Sequence, residues 1–532
     1  MGVWVCAIMC VMKTIYKGTF DFADLRRQGC IYVDKTKYLH RIISRMNDRF
    51  LFFSRPRRFG KSMMLSTLKN IFQGHRELFE GLYIDTQTDY DWKTYPVLHL
   101  DMSEINVSSA EKFESSLYDN TRDALLNAGI ENPESRSVAS DLLGYGIQTL
   151  SKEGPVVVLV DEYDAPIGRT LNRPELAEAI RSVLADYYIK LKSKSPLMRF
   201  MLMTGVSKFT KLSVFSSLNS PTDITFDPEY AGMLGYTDEE LDFYFGDIIA
   251  ERAEKSPCDD YRGEIRRWFN GYRFTKAEVK VYNPVSIAQT LTATDYDVSA
   301  QWTGTGRPAM LAAFLETHDV TSLDFEKGIS AYINELENSA TLTALHPKAM
   351  LFQCGYLTIA DYHAQTGLYT LGFPDEEIRR DMYLFLSDIR AKRDGWCQEA
   401  LSNLESGNIG SFLRSLPALY ASMTYNGKDG IPPESHYQNI LHGVMMAGGF
   451  VCHAEIQQSS RKRSDLTVET VNYCYIFELK RGKTVKATSA LKQITDRKYA
   501  APYRGTGRQI IAVGLVFHPE DHTLRDSAWK ML

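Results

Sequence analysis

A glycine–lysine–serine triplet between an apolar segment and an amphipathic stretch most constrains what this chain can fold into. Gly60, Lys61 and Ser62 end the run FFSRPRRFGKS, which begins at residue 52. A phosphate-binding loop occupies this position between its strand and its helix. Gly60 would let the backbone approach phosphate, Lys61 would place a cation on the β and γ oxygens, and Ser62 would offer a hydroxyl to Mg²⁺. The predicted nucleotide contacts from the loop are Arg57, Arg58, Phe59, Gly60, Lys61 and Ser62.

One position of the loop departs from the usual spacing. The pattern G-x-x-x-x-G-K-[ST] requires glycine at position 55, where this chain has Arg55. The loop must therefore turn without the conformational freedom of a glycine. A solvated basic turn ahead of an ordinary helix stays open as the alternative for this segment.

A second motif follows a run of valine and leucine at residues 156–160, which is typical of a fully buried strand. Asp161 and Glu162 come next, where a doubly wound sheet presents its strand ends to a ligand. Asp161 would hold Mg²⁺ through water, and Glu162 would orient or deprotonate the attacking water. Asp164 could add a further contact. An acidic cap of the next helix is the alternative, but a phosphate cradle and a metal-holding carboxylate together favour nucleotide binding.

A third apolar segment, residues 199–208, ends in polar groups that could sense a γ-phosphate. We assign that role to Thr204 or Ser207. A strand-to-loop turn closed by Gly205 is the alternative.

The C-terminal region carries a separate set of chemical groups. Strands are predicted at residues 450–457, from 463 to 468 and at 473–480. Because side chains alternate along a strand, Glu478 and Lys480 should share one face, with Leu479 opposite in the core. If Asp465 shares that face, two carboxylates and an ammonium converge, as a Mg²⁺-dependent phosphodiesterase requires. Solvated strand ends commonly carry such charges, and this is the alternative.

Several phrases of the sequence resemble one family. They are YVDKT from residue 32, SRPRRFGKS from residue 54, VVVLVDEYDAPI from residue 156, FNGYRF from residue 269, YNPVSI from residue 282 and LFQCGYLTI from residue 351. Together they are similar to bacterial AAA-ATPase-like proteins that end in a PD-(D/E)XK nuclease-superfamily domain. The resemblance implies an α/β fold: a P-loop NTPase sheet with helices on both faces, a helical middle region and a restriction-endonuclease-like domain. In that family an arginine-rich loop without the first glycine is usual.

The resemblance also implies site roles in the C-terminal domain. Asp465 and Glu478 match metal ligands, and Lys480 matches the catalytic lysine. Further positions that match the family's site are Glu434 as the helix-borne acid, and Gln493 and Tyr499 as auxiliary residues. One departure is Lys462, where these sequences often have glycine before the arginine that precedes Asp465 by two positions.

Composition indicates a cytosolic multidomain protein. The chain has 532 residues, of which 44% are hydrophobic and 24% charged, and a formal net charge of −5. Nucleic-acid binding would therefore have to be local. Between residues 459 and 508 there are four acidic residues and twelve basic ones: Arg461, Lys462, Arg463, Lys480, Arg481, Lys483, Lys486, Lys492, Arg497, Lys498, Arg504 and Arg508. A phosphate backbone is a natural partner for this segment, and a merely solvated helix face is the alternative.

Other classes of site and location are not indicated. The eight cysteines include no C-x-x-C pair, and the eleven histidines no H-E-x-x-H, so we predict reduced thiols and no zinc site. Residues 1–12 are apolar but too short to span a bilayer, and they lack the features of a secretory signal. We expect an N-terminal extension at 1–12 and a soluble cytoplasmic protein.

The predicted domains are a nucleotide-binding domain at 13–230, a helix-rich lid and middle region at 231–395, and a nuclease-like domain at 396–532. The predicted function is ATP binding, and ATP hydrolysis, coupled to Mg²⁺-dependent action on DNA. The predicted catalytic residues are Glu162, Glu434, Asp465, Glu478, Lys480 and Gln493. The alternative is a nucleotide-controlled switch whose C-terminal domain binds nucleic acid or a protein without cleaving it.

Overall fold

The computed structural model describes residues 14–15, 21–45, 48–133, 136–208, 221–301, 309–315, 320, 323, 325, 327–337, 346–391, 396–421, 433–447, 450–453, 464–520 and 523–532. The predicted extension at 1–12 and the residues 461–463 before Asp465 lie outside these ranges.

The N-terminal part alternates strands and helices around a parallel sheet. Its elements are α1 (Phe22–Arg27), α2 (Thr36–Ile43), β1 (Phe50–Ser54), α3 (Lys61–Phe72), α4 (Tyr83–Thr86), β2 (Val97–Asp101), α5 (Ala110–Asn127), α6 (Ala139–Leu150), β3 (Val156–Asp161), α7 (Ala165–Gly168), α8 (Pro174–Ser193), β4 (Met198–Gly205) and β5 (Thr222–Asp223). The five strands pair in parallel in the order β2-β3-β4-β1-β5. Strand β3 is buried along its whole length, as its aliphatic run predicts for a parallel sheet.

The strand order decides which segments meet at the carboxyl edge of this sheet. Strand β4 lies between β1 and β3, with Gly205 opposite Ser54 and Met203 opposite Val160. The loop that follows β1 and the acidic residues that follow β3 therefore flank the end of β4. The ends of β1, β3 and β4 thus lie side by side at one edge of the sheet.

The middle of the chain is rich in helices, as its sequence predicts. Its elements are α9 (Asp238–Lys255), α10 (Tyr261–Phe269), β6 (Asn270–Tyr272), β7 (Val281–Tyr282), α11 (Pro284–Thr292), α12 (Ala309–Leu315), β8 (Ile329–Ala331), α13 (Ile333–Glu337), α14 (Pro347–Gln353), β9 (Thr358–His363), β10 (Leu368–Gly372) and α15 (Glu376–Ala391). Helix α9 begins with a capping box, in which Thr237 and Glu240 satisfy each other's backbone N–H groups. Phe245 of α9, Ile265 of α10 and Ile287 of α11 share one buried cluster.

The C-terminal part is a mixed sheet with helices. Its elements are α16 (Trp396–Glu405), α17 (Ile409–Ala421), α18 (Glu434–Ala447), β11 (Val451–His453), β12 (Leu466–Glu469), β13 (Tyr473–Arg481), α19 (Ala487–Asp496), β14 (Gln509–Phe517) and β15 (Leu524–Met531). The strands pair in sequence order, with β13 and β14 parallel and the other pairs antiparallel. All three predicted strands are found, although the strand predicted at 450–457 is described only as far as residue 453.

Strand β13 separates two apolar cores. Tyr475, Phe477 and Leu479 belong to the core that includes α17 and α18. Cys474 and Ile476 point to the opposite core, which includes Ile494 of α19. Each face of the C-terminal sheet is therefore covered by helix.

The chain divides into two compact units, and each is described separately below. The first comprises Met1–Ala313 and Tyr332–Tyr362, and the second comprises Phe314–Ala331 and His363–Leu532. The mixed α/β architecture predicted for both ends of the chain is confirmed, and the three domain boundaries stay a prediction. Across the described ranges, no helix has the length and apolar composition that crossing a bilayer demands.

Candidate functional site

The turn between β1 and α3 ends in a glycine with left-handed backbone geometry, directly before the helix. Gly60 adopts φ +94° immediately before Lys61, the first residue of α3. A side chain would strain this backbone, so glycine is required here. Arg58, in the same loop, also has a positive φ, +68°. Non-glycine residues in this region cluster at ligand sites, because surrounding structure must hold them there.

The ammonium of Lys61 is buried and lies against the loop's own backbone. Its Nζ donates to the carbonyl oxygens of Arg55 and Pro56, both at 3.0 Å. Burial lowers the pKa of Lys61, while the nearby carboxylates of Glu162 and Asp161 oppose that shift. The lysine is thus a buried cation that faces the acidic end of β3.

Arg55, the departure from the loop pattern, has a structural role that sequence reasoning missed. Its side chain is 2% exposed, and its guanidinium lies 4.4 Å from the ring centroid of Phe53 and 4.6 Å from that of Phe274. It also donates to the carbonyl oxygens of Ser54 and Thr225, at 2.9 and 2.8 Å. Arg55 thus holds the loop through hydrogen bonds and ring contacts that a glycine at this position could not make. In the sequence, the one nearby residue that could have indicated this role of Arg55 is the aromatic Phe53.

The carboxylate of Asp161 is the centre of the first site. Its Oδ2 accepts a hydrogen bond from the Ser62 hydroxyl at 2.6 Å, and its Oδ1 accepts one from the Thr204 hydroxyl, also at 2.6 Å. The two residues predicted to hold Mg²⁺, Ser62 and Asp161, are therefore in direct contact. Thr204, predicted to sense phosphate, joins them through the adjacent strand β4.

Glu162 follows Asp161 in a strained backbone conformation, with φ +47°. Burial raises the pKa of its carboxyl, and the cations of Lys61 and Arg57 act in the opposite direction. A half-buried carboxyl with a raised pKa is suited to accepting a proton from water. This placement fits the predicted role of Glu162.

Asp164 and Ser207 build the wall behind the site. The Asp164 carboxylate accepts backbone N–H bonds from Val206 at 3.2 Å and from Ser207 at 2.6 Å. A Cβ on Gly205 would lie 2.4 Å from Asp164 Oδ1, so only glycine permits this approach. Asp164 therefore supports the turn after β4. Among the described residues, the buried Ser207 Oγ has no hydrogen-bond partner.

A cavity of about 650 Å³ opens beside this loop, within the first unit. Its polar side includes Arg57, Arg58, Lys61, Ser62 and Glu162. Its other side is lined mostly by apolar side chains of the segments 31–39, 233–236 and 284–289. The volume is within the range of roughly 300–1,000 Å³ that is usual for small-molecule sites.

The second site lies on β13 in the second unit, and the predicted alternation is confirmed. Lys480 Nζ donates to Glu478 Oε1 at 2.8 Å, while Leu479 packs in the core on the opposite face. Asp465 is also brought to this place, because its Oδ2 accepts the backbone N–H of Leu479 at 2.7 Å. Asp465, Glu478 and Lys480 thus converge as the sequence predicts.

The carboxyl groups of the second site are buried close to each other. Burial, and then the charge of Glu478, raise the pKa of Asp465 to about 7. Burial also raises the pKa of Glu478, against its hydrogen bond from Lys480. Among the described residues, Glu478 Oε2 is buried without a hydrogen-bond partner. A buried carboxylate oxygen of this kind fits a hard cation such as Mg²⁺, which takes one or two protein carboxylates and completes its shell with water and phosphate.

A closed metal cage is not what this site offers. Within the described ranges no group of three or more His, Cys, Asp or Glu side chains is arranged to hold a metal. The carboxylates that would hold a cation here are those of Asp465 and Glu478. Such an open site leaves positions for water and substrate.

Residues from both flanking helices orient the second site. Gln493 of α19 donates to Glu478 Oε1 and lies 3.5 Å from the Tyr499 hydroxyl. The negative charge of Glu434, the first residue of α18, helps to raise the pKa of Asp465 after burial and Glu478. Asp465, Glu478, Lys480 and Gln493 thus lie together, and Glu434 acts on Asp465 through its charge.

Two residues near this site were missed from sequence. Gln438 Nε2 donates to the backbone oxygen of Asp465 at 2.6 Å. It lies four positions after Glu434 on α18, so helical spacing could have identified it. Arg497 donates to the Tyr499 hydroxyl at 3.1 Å. Its spacing of four from Gln493 was a similar signal.

Many basic residues of the C-terminal segment are exposed around this region of the chain. They are Arg481, Lys483, Lys486, Lys492, Arg497, Lys498 and Arg504. Arg508 instead donates to Glu469 at 2.7 Å. Lys483 is paired with Glu520 at 2.5 Å. Most of the described basic residues of this segment are exposed to solvent, as binding of a phosphate backbone requires.

Fold and sites together define a class: a phosphate-binding-loop α/β domain followed by a nuclease-like α/β domain. The family model described as "Predicted AAA-ATPase" matches residues 17–215, and the PD-(D/E)XK nuclease superfamily model matches residues 432–527. A curated protein of Azotobacter chroococcum mcd 1, described as "Uncharacterized protein in vnfD 5'region", is 30% identical over 524 residues, covering 96% of this chain and 98% of the relative. The chain belongs to the family of AAA-ATPase-like proteins with a C-terminal PD-(D/E)XK nuclease-superfamily domain.

Proposed function

We propose that this protein binds and hydrolyses ATP with Mg²⁺ in its first unit and cleaves DNA phosphodiester bonds with Mg²⁺ in its second. The observation that carries the first half is the direct contact of Ser62 with Asp161, beside the buried ammonium of Lys61. The second half rests on the buried, unpartnered Oε2 of Glu478, described above as fitting a cation.

In the first unit each residue would act on the triphosphate at a defined place. Lys61 would leave the carbonyl oxygens of Arg55 and Pro56 and donate to the β and γ oxygens of ATP. Ser62 and Asp161 would hold Mg²⁺. Glu162, with its raised pKa, would accept a proton from the attacking water.

In the second unit Asp465 and Glu478 would hold Mg²⁺, which when bound neutralises phosphate charge and lowers the pKa of the attacking water. Lys480 Nζ, which donates to Glu478 Oε1, would donate to that water or to a phosphate oxygen. Gln493 keeps the Glu478 carboxylate oriented from α19. Deprotonated carboxylates are required, because a protonated Asp465 is a poor ligand.

DNA is proposed as the substrate because the exposed basic residues lie in the same part of the chain as these carboxylates. The whole chain has a net charge of −5, so attraction to a phosphate backbone must come from this local surface.

Two paired measurements test the proposal. ATP turnover of wild type is compared with Lys61→Ala and, as a control on the same helix, Lys69→Ala. We expect Lys61→Ala to lose turnover at least about 100-fold, since it removes a charge from the transferring phosphate. Unchanged ATP affinity and turnover in Lys61→Ala would rule out the loop as the nucleotide site.

Nicking of supercoiled plasmid with Mg²⁺ is compared for wild type, Glu478→Gln and the exposed control Asp496→Asn. Glu478→Gln should not nick the plasmid, and EDTA should abolish nicking by wild type. The control Asp496→Asn should nick the plasmid as wild type does. Plasmid binding without nicking by wild type would instead support the nucleotide-controlled switch. Nicking that survives Glu478→Gln would place the activity elsewhere.

A further inference from the structure

Two phrases of the sequence that the proposed function leaves without a role pack against the loop between β1 and α3. They are FNGYRF from residue 269, which contains β6, and LFQCGYLTI from residue 351, which joins α14 to β9. Both phrases belong to the first unit, as the loop does. Their contacts with the loop fall on Arg55, Pro56 and Phe59.

Phe59, the residue before Gly60, is held by two rings of the first phrase. Its ring centroid lies 4.8 Å from that of Tyr272 and 5.2 Å from that of Phe274, edge to face in both cases. All three side chains are buried. Because Phe274 also contacts the guanidinium of Arg55, the first phrase packs against both ends of the loop.

Pro56 is held by the second phrase. Gly355 has φ +84°, and a Cβ on it would lie 2.8 Å from Cβ and 3.0 Å from Cγ of Pro56. The backbone after α14 therefore approaches the loop so closely that only glycine fits. The carbonyl oxygen of Pro56 accepts the hydrogen bond from Lys61 Nζ at 3.0 Å, so the position of Pro56 also sets that of the ammonium.

The two phrases are bonded to each other. The backbone N–H of Arg273 donates to the Thr358 hydroxyl at 2.6 Å, and the backbone N–H of Ile359 donates to the Arg273 carbonyl oxygen at 3.1 Å. We call residues 270–274 and 352–359 together the platform. Between the two loop residues that it holds, Pro56 and Phe59, the backbone of Arg58 keeps its strained φ of +68°. Such strain persists only where the surroundings fix the chain on both sides.

We propose that the platform is a positioning element of the nucleotide site, which holds the β1–α3 loop where Lys61 can reach the transferring phosphate. The inference rests on the proposed nucleotide binding and hydrolysis, and it assigns a part in them to residues that contact no nucleotide. Gly355 and Phe274 are positioning residues, because they act through Pro56 and Phe59. A charge that stabilises the transition state must be placed accurately, so a small shift of the loop should slow the reaction.

The test is steady-state ATP turnover of the full chain with Mg²⁺, for wild type and Gly355→Ala. The added methyl would press on Pro56, and we expect kcat to fall about tenfold with KM little changed, since the shift affects groups that act on the transferring phosphate. Gly81→Ala is the matched control. Gly81 has φ +80°, so alanine meets the same backbone strain, but no heavy atom lies within 4 Å of the added Cβ. Gly81→Ala should turn over ATP as wild type does.

A double-mutant cycle separates positioning from general destabilisation. Pro56→Gly removes both atoms that the new methyl would meet, so Gly355→Ala should lower kcat much less in the Pro56→Gly background. Phe274→Leu is an independent variant, because it keeps an apolar side chain but removes the ring that contacts Phe59 and Arg55. It should also lower kcat, and it decides the question if Gly355→Ala does not fold.

Wild-type kcat in Gly355→Ala would overturn the positioning role, and so would an equal fall in kcat with and without Pro56→Gly. If Gly355→Ala does not fold, wild-type kcat in Phe274→Leu would overturn it. Failure of wild type itself to hydrolyse ATP would instead overturn the proposed function, on which this inference depends.

Discussion

At the scale of single residues, Arg55 shows that a departure from a motif can have its own physical explanation. The loop lacks its first glycine, yet the side chain in that place is among the largest fully buried ones in the described structure. Burial lowers the pKa of Arg55 to about 9, so the surroundings impose a real desolvation cost. Carbonyl oxygens and aromatic faces offset that cost.

Restoring the motif glycine should therefore damage the protein. We expect Arg55→Gly to lower the free energy of unfolding by about 2–4 kcal/mol, because it removes three hydrogen bonds, two ring contacts and a buried volume. Urea denaturation measures this change, with the exposed Arg27→Ala as control. Equal or greater stability of Arg55→Gly would show that the guanidinium contacts contribute nothing net.

A second prediction for a single residue concerns how Asp465 affects the pH dependence of stability in the metal-free protein. Burial raises the pKa of Asp465 to about 7 in the fold, above that of an ordinary aspartate, so between these values the folded state holds a proton that the unfolded state has lost. Stability should therefore fall as pH rises from about 4 to about 7. In Asp465→Asn this fall should be smaller by about 1–2 kcal/mol. Calorimetry in EDTA at pH 5 and pH 8 measures the stability of wild type and of Asp465→Asn. The same pH dependence of stability in wild type and Asp465→Asn would contradict the prediction.

At the scale of elements, the second site depends on how closely α19 approaches β14. Gly514 lies opposite Glu478 in the parallel pair of β13 and β14. A Cβ on Gly514 would lie 2.5 Å from the backbone oxygen of Ala487, the first residue of α19. The missing side chain is what allows the helix to bring Gln493 to the Glu478 carboxylate.

Gly514→Ala should push α19 away from the sheet. We expect a loss of about 1–3 kcal/mol in stability, as in other overpacked sites, together with reduced plasmid nicking. Gly410→Ala is the matched control, because a Cβ there would meet only the end of Arg414 at 3.7 Å. Nicking at the wild-type rate in Gly514→Ala would mean that the position of α19 does not matter for the site.

At the scale of the whole molecule, charge is distributed unevenly. The chain has 61 basic and 66 acidic residues, yet an exposed basic group follows β13. A protein with net negative charge that binds DNA must do so through such a surface, and binding must weaken as salt rises.

Charge reversal tests the whole-molecule claim. Lys492→Glu and Arg504→Glu should each weaken binding of a DNA duplex and reduce the slope of log affinity against log salt by about 0.9 per lost phosphate contact. Fluorescence anisotropy between 50 and 200 mM salt, a range over which phosphate contacts dominate, measures both effects. Lys112→Glu, exposed on α5, is the control. An equal loss in all three variants would point to net charge rather than a local surface.

The sequence by itself determined the features that depend only on residues close together along the chain. The glycine–lysine–serine turn, the buried strand before Asp161, and the shared face of Glu478 and Lys480 all follow from local periodicity and backbone sterics. The local order of residues also predicted which strands end in acidic groups.

Only the tertiary structure decided which distant groups meet. Thr204 reaches Asp161 because β4 lies between β1 and β3. Gln438 contacts the backbone of Asp465 because of how α18 packs in the fold. Gln289 lines the cavity because of how α11 packs in the fold. Such contacts join residues far apart in sequence, and their free energy depends on strand order and helix packing, which no local pattern encodes.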